Sequence, residues 1–463
     1  MAVTRNINYI NKDFASYRSQ LVNYSQTYFP TTYTDFSPTS PGMMFIEQAA
    51  YVGDVLSFYL DNQIQENYLQ YARQTSNLYD MAYMYGYKPR VTGLSTVTVD
   101  LYQQLPAKLI NGVAEPDYDY AVIINANTQI STTSGTPQTF IIEEAVNFSV
   151  SSSNNPTSVT VAQITSGVPD YYLLRKSTTA YSGRIRSTQF SFGAPVEFST
   201  VSINAPNIAN IIDVVDSDGN NYYEVDYLGQ DLVFDGIRNT NVNDPNTYND
   251  SDTPYLLQTK SVQNRFATRF LASNLLQLQF GAGSPATVTE NVIPNPFNVG
   301  LGLPFGQDKL TTAYSPTNFI FTNTYGNTPS NTTLTVRYLS GGGVGSNILA
   351  NALTKVNTGN VQFLKGGLPS TTAQYVFDSI ASNNPYAANG GNNGDSIEDI
   401  RQNAISQFST QMRNVTQDDY LVRALSMPSK FGLISKAFTQ KPNADEANTT
   451  LDIYCLSQNE QSQ

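Results

Sequence analysis

Residues 40–61 read Ser40-Pro41-Gly42-Met43-Met44-Phe45-Ile46-Glu47-Gln48-Ala49-Ala50-Tyr51-Val52-Gly53-Asp54-Val55-Leu56-Ser57-Phe58-Tyr59-Leu60-Asp61. A serine followed by proline is a helix start, because the hydroxyl can cap the first turn and proline fits the first helical position. From residue 44 to residue 59 the predicted helix is apolar on nearly every side. Such a helix needs neighbours all round, from its own domain or from another chain. Upstream, Phe14, Tyr17, Leu21, Tyr24 and Tyr28 recur at helical spacing and form one aromatic-aliphatic stripe, which Pro30 ends. Downstream, a third helix is predicted over residues 76–85, closed by Gly86 with Pro89 beyond. Residues 1–92 therefore read as a helical segment.

The period then changes from three-and-a-half to two. Val97, Val99 and Leu101 alternate with Thr96, Thr98 and Asp100, and Leu334, Val336 and Tyr338 with Thr335 and Arg337. Short β-branched runs separated by Gly, Pro, Asn and Ser make residues 93–372 a β-rich middle of more than one sheet. Residues 239–254, almost wholly Asn, Asp, Thr and Pro, read as an exposed loop. Helices return in residues 373–463. Asp395 with Glu398 predicts one capped helix, carrying Ile397, Ile400, Ala404 and Phe408, and Thr416 with Asp419 predicts another. A last strand over residues 451–456 has no predicted partner strand, and the pattern reads as a C-terminal part cut short. The fold class expected is α+β multidomain: N-terminal helices, β-rich middle domains with long loops, and C-terminal helices leading into a further α/β part.

Composition narrows the chemistry. The 463 residues include 25 Lys+Arg and 37 Asp+Glu, a net charge of −12, and only 13% are charged. Histidine is absent and Cys455 is the only cysteine. Imidazole acid–base chemistry, Cys/His zinc sites and internal disulfides are thereby excluded. The acidic balance opposes binding to a phosphate backbone. The N-terminus lacks the apolar stretch of a signal peptide, and no uncharged apolar run reaches the ~20 residues of a membrane span. A soluble chain, made in a reducing cytoplasm, is expected.

Candidate sites each have a plainer reading. Asp216-Ser217-Asp218-Gly219 resembles a calcium loop, but its spacing fails for an EF-hand, and a hairpin between residues 211–215 and 222–225 fits better. The run Gly341-Gly342-Gly343-Val344-Gly345 lacks the lysine of a phosphate-binding loop, so a tight turn at a close backbone approach is expected. Phe280-Gly281-Ala282-Gly283 reads as a glycine turn closing a strand. Carboxylate pairs such as Glu143 and Glu144 could in principle serve sugar chemistry, but neighbours in a strand face opposite ways. Cys455, in an apolar strand, reads as a small buried hydrophobe. Neither a catalytic residue nor a cofactor or metal site is expected.

Two stretches carry a family resemblance. The first comprises Tyr9-Ile10-Asn11-Lys12-Asp13-Phe14, Phe29-Pro30, Asp35-Phe36-Ser37, Ser40-Pro41-Gly42 and residues 51–61. It resembles the N-terminal region of baseplate wedge proteins in contractile-tailed, T-even-type phages. The second comprises Asn393-Gly394-Asp395-Ser396-Ile397-Glu398-Asp399-Ile400-Arg401 and Arg413-Asn414-Val415-Thr416-Gln417-Asp418-Asp419-Tyr420. It is similar to the signature of the wider baseplate J family, with Phe280, Gly281 and Gly283 similar to its glycine turn. An Asp often stands in that family where Ala282 does here.

The resemblance implies a non-enzymatic structural subunit of the virion's tail baseplate, assembled in the host cytoplasm. It implies that two copies join one copy of another wedge protein at a helical bundle, with a small sheath-initiating protein there. Six wedges would then ring the tail hub, contact their neighbours, and pass their rearrangement to sheath contraction. Phe14, Tyr17, Leu21, Tyr24, Phe45, Val52, Leu56, Phe58 and Tyr59 are the residues expected at the bundle. No nucleic-acid or membrane partner is expected. The alternatives are a receptor-binding or tail-fibre protein that holds host polysaccharide in tyrosine-lined loops, and a histidine-free glycosidase.

Overall fold

The computed structural model describes residues 13–133, 137–240, 243, 248, 251, 253–283, 325–411, 413–441 and 451–457. The start of the first family motif, residues 9–12, and part of the 239–254 loop lie outside these. The fold is α+β multidomain, with N-terminal helices, many strands in several sheets, and C-terminal helices. Two compact units are distinguishable: residues 1–87 with 397–405, and residues 88–396 with 406–463.

The first unit is helical. Helix α1 (Phe14–Tyr28) is capped by Asp13, which accepts from the Ser16 N–H at 2.9 Å. Helix α2 (Pro41–Glu66) begins as its sequence dictates: Ser40 Oγ accepts from the Met43 N–H at 3.1 Å, and proline occupies the first turn. Helix α3 (Thr75–Met84) stops before Gly86, whose φ of 81° a side-chain-bearing residue would resist. The first nine residues of α5 (Ile397–Thr410) complete this unit.

The second unit holds two large sheets. The eight-stranded sheet runs Leu353–Val356, Gln129–Thr132, Thr139–Ile142, Val168–Ser182, Thr96–Ile110, Val113–Pro116, with Ala381–Asn383 and Ser158–Thr165 joined at its sides. The seven-stranded sheet runs Thr200–Asn204, Leu275–Phe280, Arg265–Ala272, Asn221–Val225, Ile208–Val215, Thr333–Ser340, Arg184–Ser191. Period two translates directly into burial. Val97, Val99 and Leu101 are buried while Thr98 is exposed, and Leu334, Val336 and Tyr338 are buried while Arg337 is exposed. Helices α4 (Ser370–Asp378) and α6 (Gln417–Leu425) belong to this unit, α6 starting with the expected capping box between Thr416 and Asp419.

Several local readings are realised. Val214 pairs Tyr222 and Val215 pairs Asn221 across the hairpin, and the Asp216 carboxylate accepts from the N–H groups of Asp218 and Asn220 within its own turn. A Cβ on Gly341 would lie 2.5 Å from the Gly183 Cα, and one on Gly342 2.4 Å from the Gly93 carbonyl oxygen. That turn is glycine because two backbones meet there.

Others need correction. The strand Asp452–Ser457 does have a partner, pairing antiparallel with Ile434–Gln440 upstream. The two form a ribbon of their own, so Cys455 is exposed rather than buried. Glu143 and Glu144 follow the strand Thr139–Ile142 in a bend, so strand alternation does not govern them; both are exposed.

Candidate assembly interface

Helix α2 is built the wrong way round for an isolated unit. At about 100° per residue, Met43, Ala50, Ser57 and Asp61 share one side and Phe45, Val52, Leu56 and Tyr59 the other. The first set is buried although it contains a serine and an aspartate. The second set is apolar and exposed, Phe45 at 64% and Tyr59 at 63%. Tyr51 and Leu60 extend the outer patch. At roughly 100 Å² of exposed surface per large side chain, these residues leave several hundred Å² uncovered, the size that marks an interaction surface.

Helix α1 packs on α2 through a small number of contacts. Tyr17 lies flat enough on α2 that a Cβ at Gly53 would come within 3.3 Å of its ring, so glycine lets the helices approach. Arg18 and Glu47 form an ion pair at 2.9 Å, both about two-fifths exposed and therefore weak. Phe14 lines a groove of about 560 Å³ with Met44, Glu47, Gln48, Tyr51 and Val52. Tyr24 stacks on Tyr28, ring centroids 4.6 Å apart, and Phe58 meets Tyr59 at 5.9 Å. Of the nine expected bundle residues, Tyr17 and Leu21 are half-buried, and the other seven are exposed.

The end of α2 contributes a residue that motif reading missed. Glu66 is buried, and its carboxylate accepts from the backbone N–H groups of Arg73 and Gln74 and from Asn77 Nδ2. Burial alone would raise its pKa, but these donors hold the carboxyl below the usual glutamate range. Glu66 thus ties the segment leading into α3, and Asn77 in its first turn, to the end of α2, a role no capping motif announces because the donors lie seven to eleven residues after the acceptor.

The remaining motif residues are structural. Arg401, on α5, is buried and donates to the carbonyls of Leu69 (2.9 Å) and Ala72, with Glu398 as ion-pair partner. Asp395, expected as the cap of α5, is the carboxylate that receives the Arg90 N–H at 2.9 Å and the Arg90 guanidinium at 2.8 Å, and α5 itself begins at Ile397. Arg90 also donates to the Leu425 carbonyl at 2.7 Å. Asp419 is held below the usual carboxylate range by the N–H groups of Thr416 and Val415 and lies in the field of Arg413; Tyr420 follows it on α6, at the surface. Phe280 is fully buried among Phe192, Tyr222 and Phe266. A Cβ on Gly281 would stand 2.0 Å from the Gly326 carbonyl oxygen, and the Gly283 N–H donates to that same oxygen at 2.9 Å. The motif with its alanine at position 282 closes as a structural turn.

Among the described residues, no group of three or more Cys, Asp or Glu stands where it could hold a metal ion, and no helix is long and apolar enough to cross a membrane. The three N-terminal helices decide the comparison with known proteins. Residues 13–84 match the N-terminal domain of bacteriophage baseplate proteins. The match covers α1, α2 and α3, the elements that carry the exposed apolar face. It supports a phage baseplate protein with a structural role, located in the virion tail. No curated protein matches the chain.

Proposed function

We propose that the chain is a structural subunit of a tail baseplate wedge, scaffolding a sixfold inner plate around the tail hub and passing its rearrangement to sheath contraction. One observation carries the reading: the baseplate domain match falls on the helices whose apolar side is turned outward. The outer face of α2 and the groove beside Phe14 are the surface that partner helices cover. Two copies of this chain with one copy of another wedge protein, and a small sheath-initiating protein beside them, form the bundle. Closed rings need interfaces that repeat by rotation, and a bundle formed first within each wedge leaves the rest of the chain for contacts between wedges.

The test mixes the purified chain with the other wedge proteins of the same phage and follows assembly by light scattering. Leu21→Asp and Phe58→Asp each place a carboxylate where apolar surface is to be buried, which is costly without a partner charge. Both variants are expected to keep their helical circular dichroism and fail to assemble. Normal assembly by both would reject the bundle.

A further inference from the structure

The strand Arg184–Ser191 forms one edge of the seven-stranded sheet and, among the described residues, pairs with Thr333–Ser340 alone. Arg184 and Arg186 stand two residues apart on it, so both side chains leave the same face. They line two adjoining clefts. One, of about 250 Å³, also includes Gln138, Thr139, Asn207 and Gly341; the other, of about 600 Å³, includes Gln129 and Tyr338. Among the described residues, no acidic side chain lines either cleft. Arg184 Nε donates to Thr139 Oγ1 at 3.1 Å, and the Arg186 side chain makes no ion pair or hydrogen bond among the described residues.

That pairing is unusual for a chain with a net charge of −12. Arg18, Arg90, Arg175, Arg337 and Arg401 each have a carboxylate beside them. Here two guanidinium groups share one opening with side-chain amides and hydroxyls and no anion. We propose that Arg184 and Arg186 receive the carboxylates of an acidic segment from a partner protein. Planar guanidinium forks match carboxylates in pairs of hydrogen bonds. Two arginines are too few to follow the phosphate backbone of a nucleic acid, which needs a run of clustered Lys and Arg. A sugar would want an exposed aromatic platform, and the tyrosine in the cleft, Tyr338, is buried. Charges on an edge strand also blunt unwanted strand pairing, but that role creates no affinity for a peptide.

The probe is a fluorescein-labelled hexa-aspartate peptide, titrated with the full chain at low salt and read by fluorescence anisotropy. Saturable binding is expected. Each exposed Arg–carboxylate contact contributes up to about fivefold, so Arg184→Gln with Arg186→Gln should weaken binding by about tenfold or more. Arg184→Lys with Arg186→Lys, which keeps the charge but loses the fork, should fall in between. Arg175→Gln, an exposed arginine elsewhere on the surface, should bind as the parent does. Three results would overturn the proposal: no saturable binding, equal binding by the double Gln variant, or full displacement of the peptide by an equal concentration of inorganic phosphate. The last would mean a simple anion site. The clefts lie outside residues 13–84, so failure here leaves the wedge reading untouched.

Discussion

Phe45→Ser is expected to weaken assembly by about 100-fold while leaving the helical unit folded. The Phe45 ring is 64% exposed, which for an aromatic side chain is roughly 130 Å² still in contact with water. Covering that area at about 25 cal/mol per Å² contributes about 3 kcal/mol, or a little over two decades in the association constant. Within the monomer the same substitution loses little packing and almost no helix propensity, since serine and phenylalanine rank alike. Met43 provides the contrast two residues earlier on α2. It is 1% exposed, so Met43→Ser should cost about 2–5 kcal/mol of folding stability. Circular dichroism melts report the fold, and sedimentation equilibrium with the other wedge proteins reports assembly. The reasoning is refuted if Phe45→Ser assembles with parental affinity, or if it unfolds as readily as Met43→Ser.

Three further outcomes follow from the second unit. Asp395→Ala strands Arg90, whose side chain is only 10% exposed, and should lower stability by about 3–5 kcal/mol in urea titration. Gly281→Ala drives a methyl group into the Gly326 carbonyl and should destabilise by about 2–3 kcal/mol, whereas Gly345→Ala, with open space around it, should change the melting temperature little. Burial alone would raise the Glu224 carboxyl, but Lys88 beside it and the hydroxyl of Thr268 hold it below its ordinary value of 4.5. A depressed carboxylate contributes stability above its unfolded pKa, and that stability is lost as pH falls through the folded one. The second unit should therefore loosen below about pH 4.5, and Glu224→Gln should flatten that part of the stability profile.

What could be read from the sequence was local. The stop of α1 before Pro30, the start of α2 at its Ser40 cap and the Thr416–Asp419 box depend on residues within a few positions of one another, and the structure places them as read. The alternation around Val97 and Leu334 showed which side chains were buried but not which strands paired. The parallel pairing of Tyr223 with Arg265 joins strands about forty residues apart, and the antiparallel pairing of Asp213 with Arg337 spans 124 positions. Nothing local specifies either. The same distance hid Arg90 and Asp395, 305 positions apart, and the clustering of Arg184 and Arg186 with Thr139 and Gly341. An apolar strand does not say which of its faces is covered, and Cys455 lies on an exposed part of its two-stranded ribbon. The apolar sides of α1 and α2 were legible; that α2 buries Ser57 and Asp61 instead was not.

Arg401 also sets a timetable. It reaches back 329 positions to the Ala72 carbonyl, and the helices that it clamps are made first. At about 5–20 residues per second, the ribosome takes roughly 15–65 seconds to travel from one to the other. For that interval α1, α2 and α3 stand outside the ribosome without their late-arriving brace, and the outer face of α2 remains open to any apolar surface nearby. A second nascent chain on the same messenger, one ribosome behind, would pass through an overlapping window.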